Sequence, residues 1–100
     1  MDIPEVTTTK RFEYKVPGGK LLRAKLEIED GKIKFLQLTG DFFMEPETDL
    51  EELEVQLIGY QAEPTLIEAL VTGFFAERNT MIAGATSADF AYVINKALKA

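Results

Sequence analysis

From residue 11 to residue 39, three stretches alternate between apolar and charged positions, which is the period of a β-strand with one buried and one solvent-exposed face. Pro17-Gly18-Gly19 ends the first alternating stretch, and Asp30-Gly31 separates the second from the third. Asp-Gly favours a two-residue hairpin turn because both central positions need a positive φ. Residues 1–10 carry little apolar weight and are expected to form a loose lead-in or a frayed first strand. The pattern predicts three antiparallel strands, over residues 11–16, 22–29 and 32–39.

A two-residue turn at Asp30-Gly31 also sets the register of the second hairpin. It predicts four cross-strand pairs: Ile28 with Ile33, Leu26 with Phe35, Glu29 with Lys32, and Glu27 with Lys34. Beyond Phe35 the apolar positions move to Leu36 and Leu38, which is the one-residue slip that a β-bulge produces. In the first hairpin, the same parity argument requires a loop of three or five residues. Pro17-Gly18-Gly19-Lys20 should therefore project from the sheet.

The remainder of the chain has apolar residues spaced three and four apart, which predicts three helices. Thr48 followed by Glu51 indicates a capping box, Pro64 fits a first helical position, and Ser87 is expected to be an N-cap. Residues 81–85 are expected to link the second helix to the third. The predicted buried stripes are Leu50, Leu53 and Leu57; Leu66, Ile67, Leu70, Val71, Phe74 and Phe75; and Phe90, Val93, Ile94, Ala97 and Leu98. Three strands followed by three helices predict an α+β fold with the helices packed on one face of the sheet.

Composition narrows the chemistry that the chain can perform. With 100 residues, 46% of them apolar, the chain is the size of one domain, and we assign residues 11–100 to it. The absence of Cys and His removes thiolate nucleophiles, imidazole bases and typical zinc sites. A net charge of −6 disfavours nucleic acid and anionic membranes as partners. No apolar run approaches the roughly 18–20 residues of a membrane span, and residues 1–5 show neither the basic nor the apolar region that is typical of a secretory signal. We therefore expect a soluble protein of the cytoplasm, and Met1 favours a whole gene product.

Three stretches are candidates for a functional site. An acidic group could perform acid–base chemistry or hold Mg²⁺, but a loop and a helix N-terminus attract carboxylates without any such role. Its members are Asp41, Glu45, Glu47, Asp49, Glu51, Glu52 and Glu54. The loop Pro17-Gly18-Gly19-Lys20 could cradle an anion, although a plain turn explains it better.

The third candidate is the segment Gly40-Asp41-Phe42-Phe43-Met44-Glu45-Pro46. Its apolar side chains cannot all enter one core from an extended backbone, and exposed apolar surface commonly marks a partner site. We expect Phe42 to close the end of the sheet and Phe43 to contact a partner. The pair Phe74-Phe75 fits a helical stripe and is expected in the core.

In order along the chain, these motifs resemble the accessory domain of lipoate–protein ligase. The resemblance covers nearly the whole chain after residue 10. It is carried by Tyr14-Lys15-Val16-Pro17-Gly18-Gly19-Lys20-Leu21-Leu22, Asp30-Gly31-Lys32-Ile33, Thr39-Gly40-Asp41-Phe42-Phe43, Pro46 with Leu50-Glu51-Glu52-Leu53, and Ser87-Ala88-Asp89-Phe90. In that family the module occurs as the C-terminal domain of a ligase or as a separate small subunit.

The resemblance implies a division of labour between two chains. A large catalytic subunit would carry ATP, Mg and lipoate and form lipoyl-AMP, while the small chain, with no catalytic residue, no metal and no cofactor of its own, would assist that step. The lipoyl group would then pass to a lysine of an acceptor, such as the lipoyl domain of a 2-oxoacid dehydrogenase or the glycine-cleavage H protein. By position, the residues facing the large subunit or its adenylate would be Gly18, Gly19, Lys20, Gly40, Asp41, Phe42 and Phe43.

Two other readings remain open from the residues alone. The same order of elements describes the fold of cysteine-desulfurase activators and iron–sulfur scaffolds, on which a chain without cysteine could keep only a docking role. A small enzyme using Asp or Glu alone is the other alternative, and it would require a carboxylate-lined pocket.

Overall fold

Two consecutive hairpins build a three-stranded antiparallel sheet, and three helices follow it. The computed structural model describes residues 8–18 and 20–100. The elements in these residues are β1 (Thr8–Lys15), β2 (Leu21–Glu29), β3 (Lys32–Gly40), β4 (Phe43–Glu45), α1 (Thr48–Leu57), α2 (Pro64–Arg78), β5 (Met81–Ala83) and α3 (Ser87–Leu98). The expected α+β fold is confirmed. The first strand begins at Thr8 instead of Arg11, and the rest of the expected lead-in, residues 1–7, lies outside the described residues.

The second hairpin has the predicted turn but an earlier bulge. Two predicted pairs are present, Ile28 with Ile33 and Glu29 with Lys32, and two are wrong, because Leu26 lies opposite Leu36 and Glu27 opposite Phe35. The register shifts between Glu27 and Ile28, which makes Lys34 the extra residue of the bulge. Lys34 is exposed, and its ammonium lies 2.7 Å from the Glu29 carboxylate. The shift moves Phe35 to the face of the sheet opposite the core.

The loop of the first hairpin has an odd number of residues, as predicted. Tyr14 pairs with Leu22 and Lys15 with Leu21, which leaves an odd loop of residues 16–20 between the paired strands. Within this loop the Val16 N–H donates to the Lys20 carbonyl at 2.7 Å.

The helices cover one face of the sheet, as predicted. α3 lies over β1 and β2, α1 lies over β3, and α2 packs on α3 and on α1. The buried residues come from the inward positions of the sheet and from one face of each helix: Leu22, Ala24, Leu26, Ile33, Leu36, Leu38, Leu53, Leu57, Ile67, Val71, Phe74, Phe75, Phe90, Ala91, Val93, Ile94 and Ala97. The predicted stripes thus form most of the core, with Leu50, Leu70 and Leu98 at its margin. The exception is Leu66, which was predicted in the stripe of the second helix but is only half-buried and lies outside the core cluster. Among the described residues, no helix is both long and apolar enough to cross a membrane.

Two predicted helix caps are wrong by one residue. The expected capping box of Thr48 and Glu51 does not form, because the backbone turns tightly just before α1 and places Thr48 inside the first turn, with Glu47 as the N-cap. At α3 the N-cap is Thr86 instead of Ser87. Thr86 and Asp89 form a complete capping box, in which each side chain accepts the other's backbone N–H.

The start of α2 agrees with the sequence. Pro64 occupies the first turn, where its missing N–H costs nothing. The Glu63 carboxylate accepts from the N–H groups of Leu66 at 2.9 Å and Thr65 at 3.1 Å. These two bonds hold the pKa of Glu63 below its ordinary value.

Candidate functional site

A short β-ribbon, formed by β4 and β5, lies at the end of the sheet and was not predicted. Phe43 pairs with Ala83, Met44 with Ile82, and Glu45 with Met81. Because alternate side chains of a strand point to opposite faces, Met44 and Ile82 face the core. Phe43 and Met81 lie on the outer face and are 81% and 71% exposed. Two large apolar side chains therefore stand in solvent on one small surface, which we call the ribbon face.

The adjacent residues Phe42 and Phe43 differ in burial, as predicted. Phe42 packs against the core, with its ring edge-on to Phe90 at a centroid distance of 5.0 Å. Phe43, the next residue, points away from it and is exposed. Phe74 and Phe75 are both buried, which confirms that they belong to the core.

Two adjoining depressions flank the Phe43 side chain. The first, about 630 Å³, runs along the ribbon to the start of α1, and its lining includes Met44, Glu45, Pro46, Glu47, Thr48, Met81 and Ile82. The second, about 550 Å³, is lined by Lys20, Gly40, Asp41, Phe42 and Gly84. Phe43 and Ala83 line both depressions. The structure thus brings five of the seven predicted site residues together around one depression, while Gly18 is in the hairpin loop and Gly19 is outside the described residues.

Close backbone approach shapes the second depression. A Cβ on Gly40 would overlap the carbonyl oxygen of Leu21, which accepts the Asp41 N–H at 2.9 Å. A Cβ on Gly84 would lie 3.0 Å from Cγ of Lys20 and 3.4 Å from the Asp41 carbonyl oxygen. The aliphatic stem of Lys20 therefore crosses Gly84, and glycine at both positions lets the ends of β2 and β3 approach the ribbon.

A buried carboxylate ties the ribbon to the helices. Asp49, in the first turn of α1, is 4% exposed and accepts from the Thr80 hydroxyl at 2.6 Å. The Arg78 guanidinium lies 3.5 Å from the same carboxylate and also binds Glu52. Because Thr80 immediately precedes β5, these contacts join α1 to the strand that carries Met81. Sequence reasoning placed Asp49 only in the acidic group, and nothing in the sequence distinguishes it from its acidic neighbours.

The other members of the acidic group do not converge. Among residues 8–18 and 20–100, no three carboxylates are grouped so that they could hold a metal ion. Glu54 accepts the N–H of Leu38 at 2.6 Å, which satisfies a donor of β3. Burial raises the pKa of Glu54 against the lowering effect of this bond, and the Glu51 carboxylate adds to the increase. Asp41, Glu45 and Glu47 are exposed around the ribbon and make this part of the surface acidic.

Comparisons with known proteins agree on one family. Residues 5–94 match the family described as "Bacterial lipoate protein ligase C-terminus". The structure is similar to a chain from a solved archaeal lipoylation system, described as a bi-partite lipoate protein ligase and its E2 lipoyl domain, from Thermoplasma acidophilum. The two chains are 25% identical with a TM-score of 0.71, and the match covers 91% of this chain and 97% of the other. No curated protein matches the chain.

Proposed function

The chain belongs to the family of lipoate protein ligase C-terminal domains, and we propose that it is the small accessory subunit of a two-part ligase. It would dock on a large catalytic subunit through the ribbon face. The proposal is supported by the family match, and by the similarity to a chain of a bi-partite ligase system. The docking site is inferred from the exposure of Phe43 and Met81 on the β-ribbon, where two depressions flank Phe43.

The ribbon face has the properties of a binding hot spot. An aromatic side chain that becomes buried in a partner contributes a large apolar area, and truncating such an anchor commonly costs 2 kcal/mol or more of binding energy. The depressions on either side of Phe43 offer room for side chains of the partner. Burial of Met81, whose flexible thioether adapts to irregular surfaces, would extend the contact along the ribbon.

The role of the subunit is to assist the formation of lipoyl-AMP. In this proposal, ATP, Mg and lipoate bind to the large subunit, and the small chain binds none of them by itself. An acyl-adenylate is easily hydrolysed, and docking of a second domain can exclude water and order mobile loops. Lys20, Gly40 and Asp41, with the Gly18-Gly19 loop, are assigned to contact with the large subunit or its adenylate. The lipoyl group would then pass to a lysine of an acceptor protein in the cytoplasm.

The direct test of this role is an adenylation assay. Pyrophosphate release from ATP and lipoate is measured with the large subunit alone, with this chain alone, and with both. We expect no release from this chain alone, and a higher rate from the pair than from the large subunit alone. Release by this chain alone would point to a self-contained enzyme. An unchanged rate for the pair would leave a binding module with no part in adenylation.

Replacement of the exposed phenylalanine tests the docking surface. Phe43→Ala should weaken the affinity for the large subunit about 30-fold, the equivalent of about 2 kcal/mol. The free energy of unfolding should change by less than about 0.5 kcal/mol, because the ring is already in solvent. Titration calorimetry and urea unfolding measure the two effects. Val55→Ala is the matched control, since Val55 is 69% exposed but lines neither depression. Equal affinities for the two variants would move the docking site elsewhere.

A further inference from the structure

The two strands of the ribbon are too short to hold their geometry alone. β4 and β5 contribute three residues each, and an isolated two-stranded ribbon is marginally stable at best in water. The pair of Glu45 and Met81 forms one end of the ribbon, since Glu45 is the last residue of β4 and Met81 is the first residue of β5. Contacts just outside this pair therefore decide how firmly Met81 is held on the ribbon face.

Asp49 makes a contact on each side of that pair. Its backbone N–H donates to the carbonyl of Pro46 at 3.1 Å, and Pro46 directly follows β4. Its carboxylate accepts from the Thr80 hydroxyl at 2.6 Å, and Thr80 directly precedes β5. One residue of α1 thus holds both strands of the ribbon at the end where Met81 lies.

Two residues, Asn79 and Thr80, connect α2 to β5. Asn79 is the C-cap of α2 in the left-handed conformation, and its backbone N–H donates back to a carbonyl of the helix. Thr80 follows it, and the Thr80 hydroxyl is bound by Asp49. The side chain of Thr80 is therefore the last anchored point of the connection before Met81.

The Asp49 carboxylate can fix this geometry because it is buried. It is 4% exposed, and a buried carboxylate is costly unless it is paired and hydrogen-bonded. One of its oxygens accepts from Thr80, and the other lies 3.5 Å from the Arg78 guanidinium. That guanidinium is itself held in place, since it lies 4.4 Å from the ring centroid of the buried Phe74 and also binds Glu52. A displaced Thr80 would leave the buried charge with too few partners, which disfavours other positions of the connection.

We propose that Asp49 is a positioning residue for docking of the large subunit, and that it acts through Thr80 to hold Met81 in place on the ribbon face. This inference rests on the proposed function. Binding has to immobilise any segment that is mobile in the free chain, and fixing the backbone of one residue costs about fivefold or more in affinity. A segment that is already fixed avoids this cost. Asp49 is buried and acts only through the residues that it holds.

Removal of the Thr80 hydroxyl tests the proposal with little change in shape. Thr80→Val should lower the affinity for the large subunit about fivefold, whereas Thr80→Ser, which keeps the hydroxyl, should bind as wild type does. The matched control is Val93→Ala, which removes buried contacts in α3, a helix that packs on β1, β2 and α2. Lower stability alone reduces the affinity only in proportion to the folded fraction. Titration calorimetry at a temperature where circular dichroism finds all chains folded therefore separates positioning from stability.

Two further measurements identify Met81 as the residue that is positioned. In a chain that already carries Met81→Ala, adding Thr80→Val should change the affinity less than about twofold, because the positioned side chain is gone. In the free chain, the NMR order parameter of the Met81 amide should be lower in Thr80→Val than in wild type. If Thr80→Val does not fold, the double variant Asp49→Asn with Thr80→Val replaces it with the same expectations, since it leaves no buried charge unpaired.

The other outcomes overturn the proposal. Equal affinities of wild type and Thr80→Val would mean that the hydroxyl does not position the ribbon. An equal loss in Thr80→Ser would exclude the hydroxyl as the cause, and an equal loss in Val93→Ala would assign the effect to stability. A full fivefold loss in the Met81→Ala background would assign it to another part of the surface. Failure of the proposed function is recognised separately, because the wild-type chain itself would then not bind the large subunit.

Discussion

Removal of the buried carboxylate of Asp49 should loosen the connection between α1 and the ribbon. In the folded chain this carboxylate accepts a 2.6 Å hydrogen bond from the Thr80 hydroxyl and lies 3.5 Å from the Arg78 guanidinium. Asp49→Ala leaves the Thr80 hydroxyl without its acceptor and takes one of two carboxylate partners from Arg78. The second partner, Glu52, stays in place.

The size of the effect follows from the environment of each contact. A hydrogen bond to a buried charged group contributes about 1.5–3 kcal/mol, and the Thr80 bond belongs to this class because Asp49 is 4% exposed. The ion pair adds less than about 1 kcal/mol, since the Arg78 side chain is 42% exposed and is screened by solvent. We therefore expect a loss of about 2–3 kcal/mol in the free energy of unfolding. For a domain of this size, that corresponds to a fall of about 10–20 °C in Tm.

Urea unfolding followed by circular dichroism measures this loss. Asp49→Asn is the informative control, because its amide oxygen can still accept from Thr80, and it should cost clearly less than Asp49→Ala. If Asp49→Ala unfolds within about 0.5 kcal/mol of wild type, the buried carboxylate does not stabilise the ribbon and the reasoning is refuted.

Three further substitutions test close packing and a shifted pKa. Gly40→Ala should lower the free energy of unfolding by more than about 1 kcal/mol, because the added methyl group would overlap the Leu21 carbonyl. Gly73→Ala should raise the free energy of unfolding by about 0.5–1 kcal/mol, because Gly73 lies in mid-helix with open space around it. Equal urea midpoints of the two variants would contradict this reasoning. Burial raises the pKa of Glu54, so the folded state disfavours the carboxylate, and stability should fall as pH rises from the ordinary pKa through the raised one. Glu54→Gln, which keeps an acceptor for the Leu38 N–H, should lose this fall and be at least as stable as wild type at neutral pH; parallel pH profiles of the two proteins would exclude the effect.

Features with a repeated pattern were predictable from the sequence. Alternation gave the three long strands, the odd loop of the first hairpin and the turn at Asp30-Gly31, and helical spacing gave the buried face of each helix. The contrast between Phe42 and Phe43 was also predictable, because adjacent residues of an extended chain point in opposite directions. These predictions depend on many residues at once, so a single exception does not overturn them.

The missed features depend on single residues or on distant contacts. Strands as short as Phe43–Glu45 and Met81–Ala83 show no period, and only the folded helices bring them together. The site of the bulge was decided by Lys34, which can leave the sheet for solvent at little cost, and the caps by local turns of the backbone. The sequence therefore predicted the exposed Phe43 of β4 as part of the candidate site. It did not predict Met81 of β5 or the contacts that the buried Asp49 makes.

We expect the ribbon face to form late in folding, because it requires β4 to pair with β5. The two strands are separated by residues 46–80, which include both α1 and α2, so the entropy of closing a long segment must be overcome before they meet. A partly folded chain can form the first two hairpins and still lack the ribbon. A partner that binds the ribbon face would therefore bind fully folded molecules and not partly folded ones. By mass action, this binding would also stabilise the whole domain against unfolding.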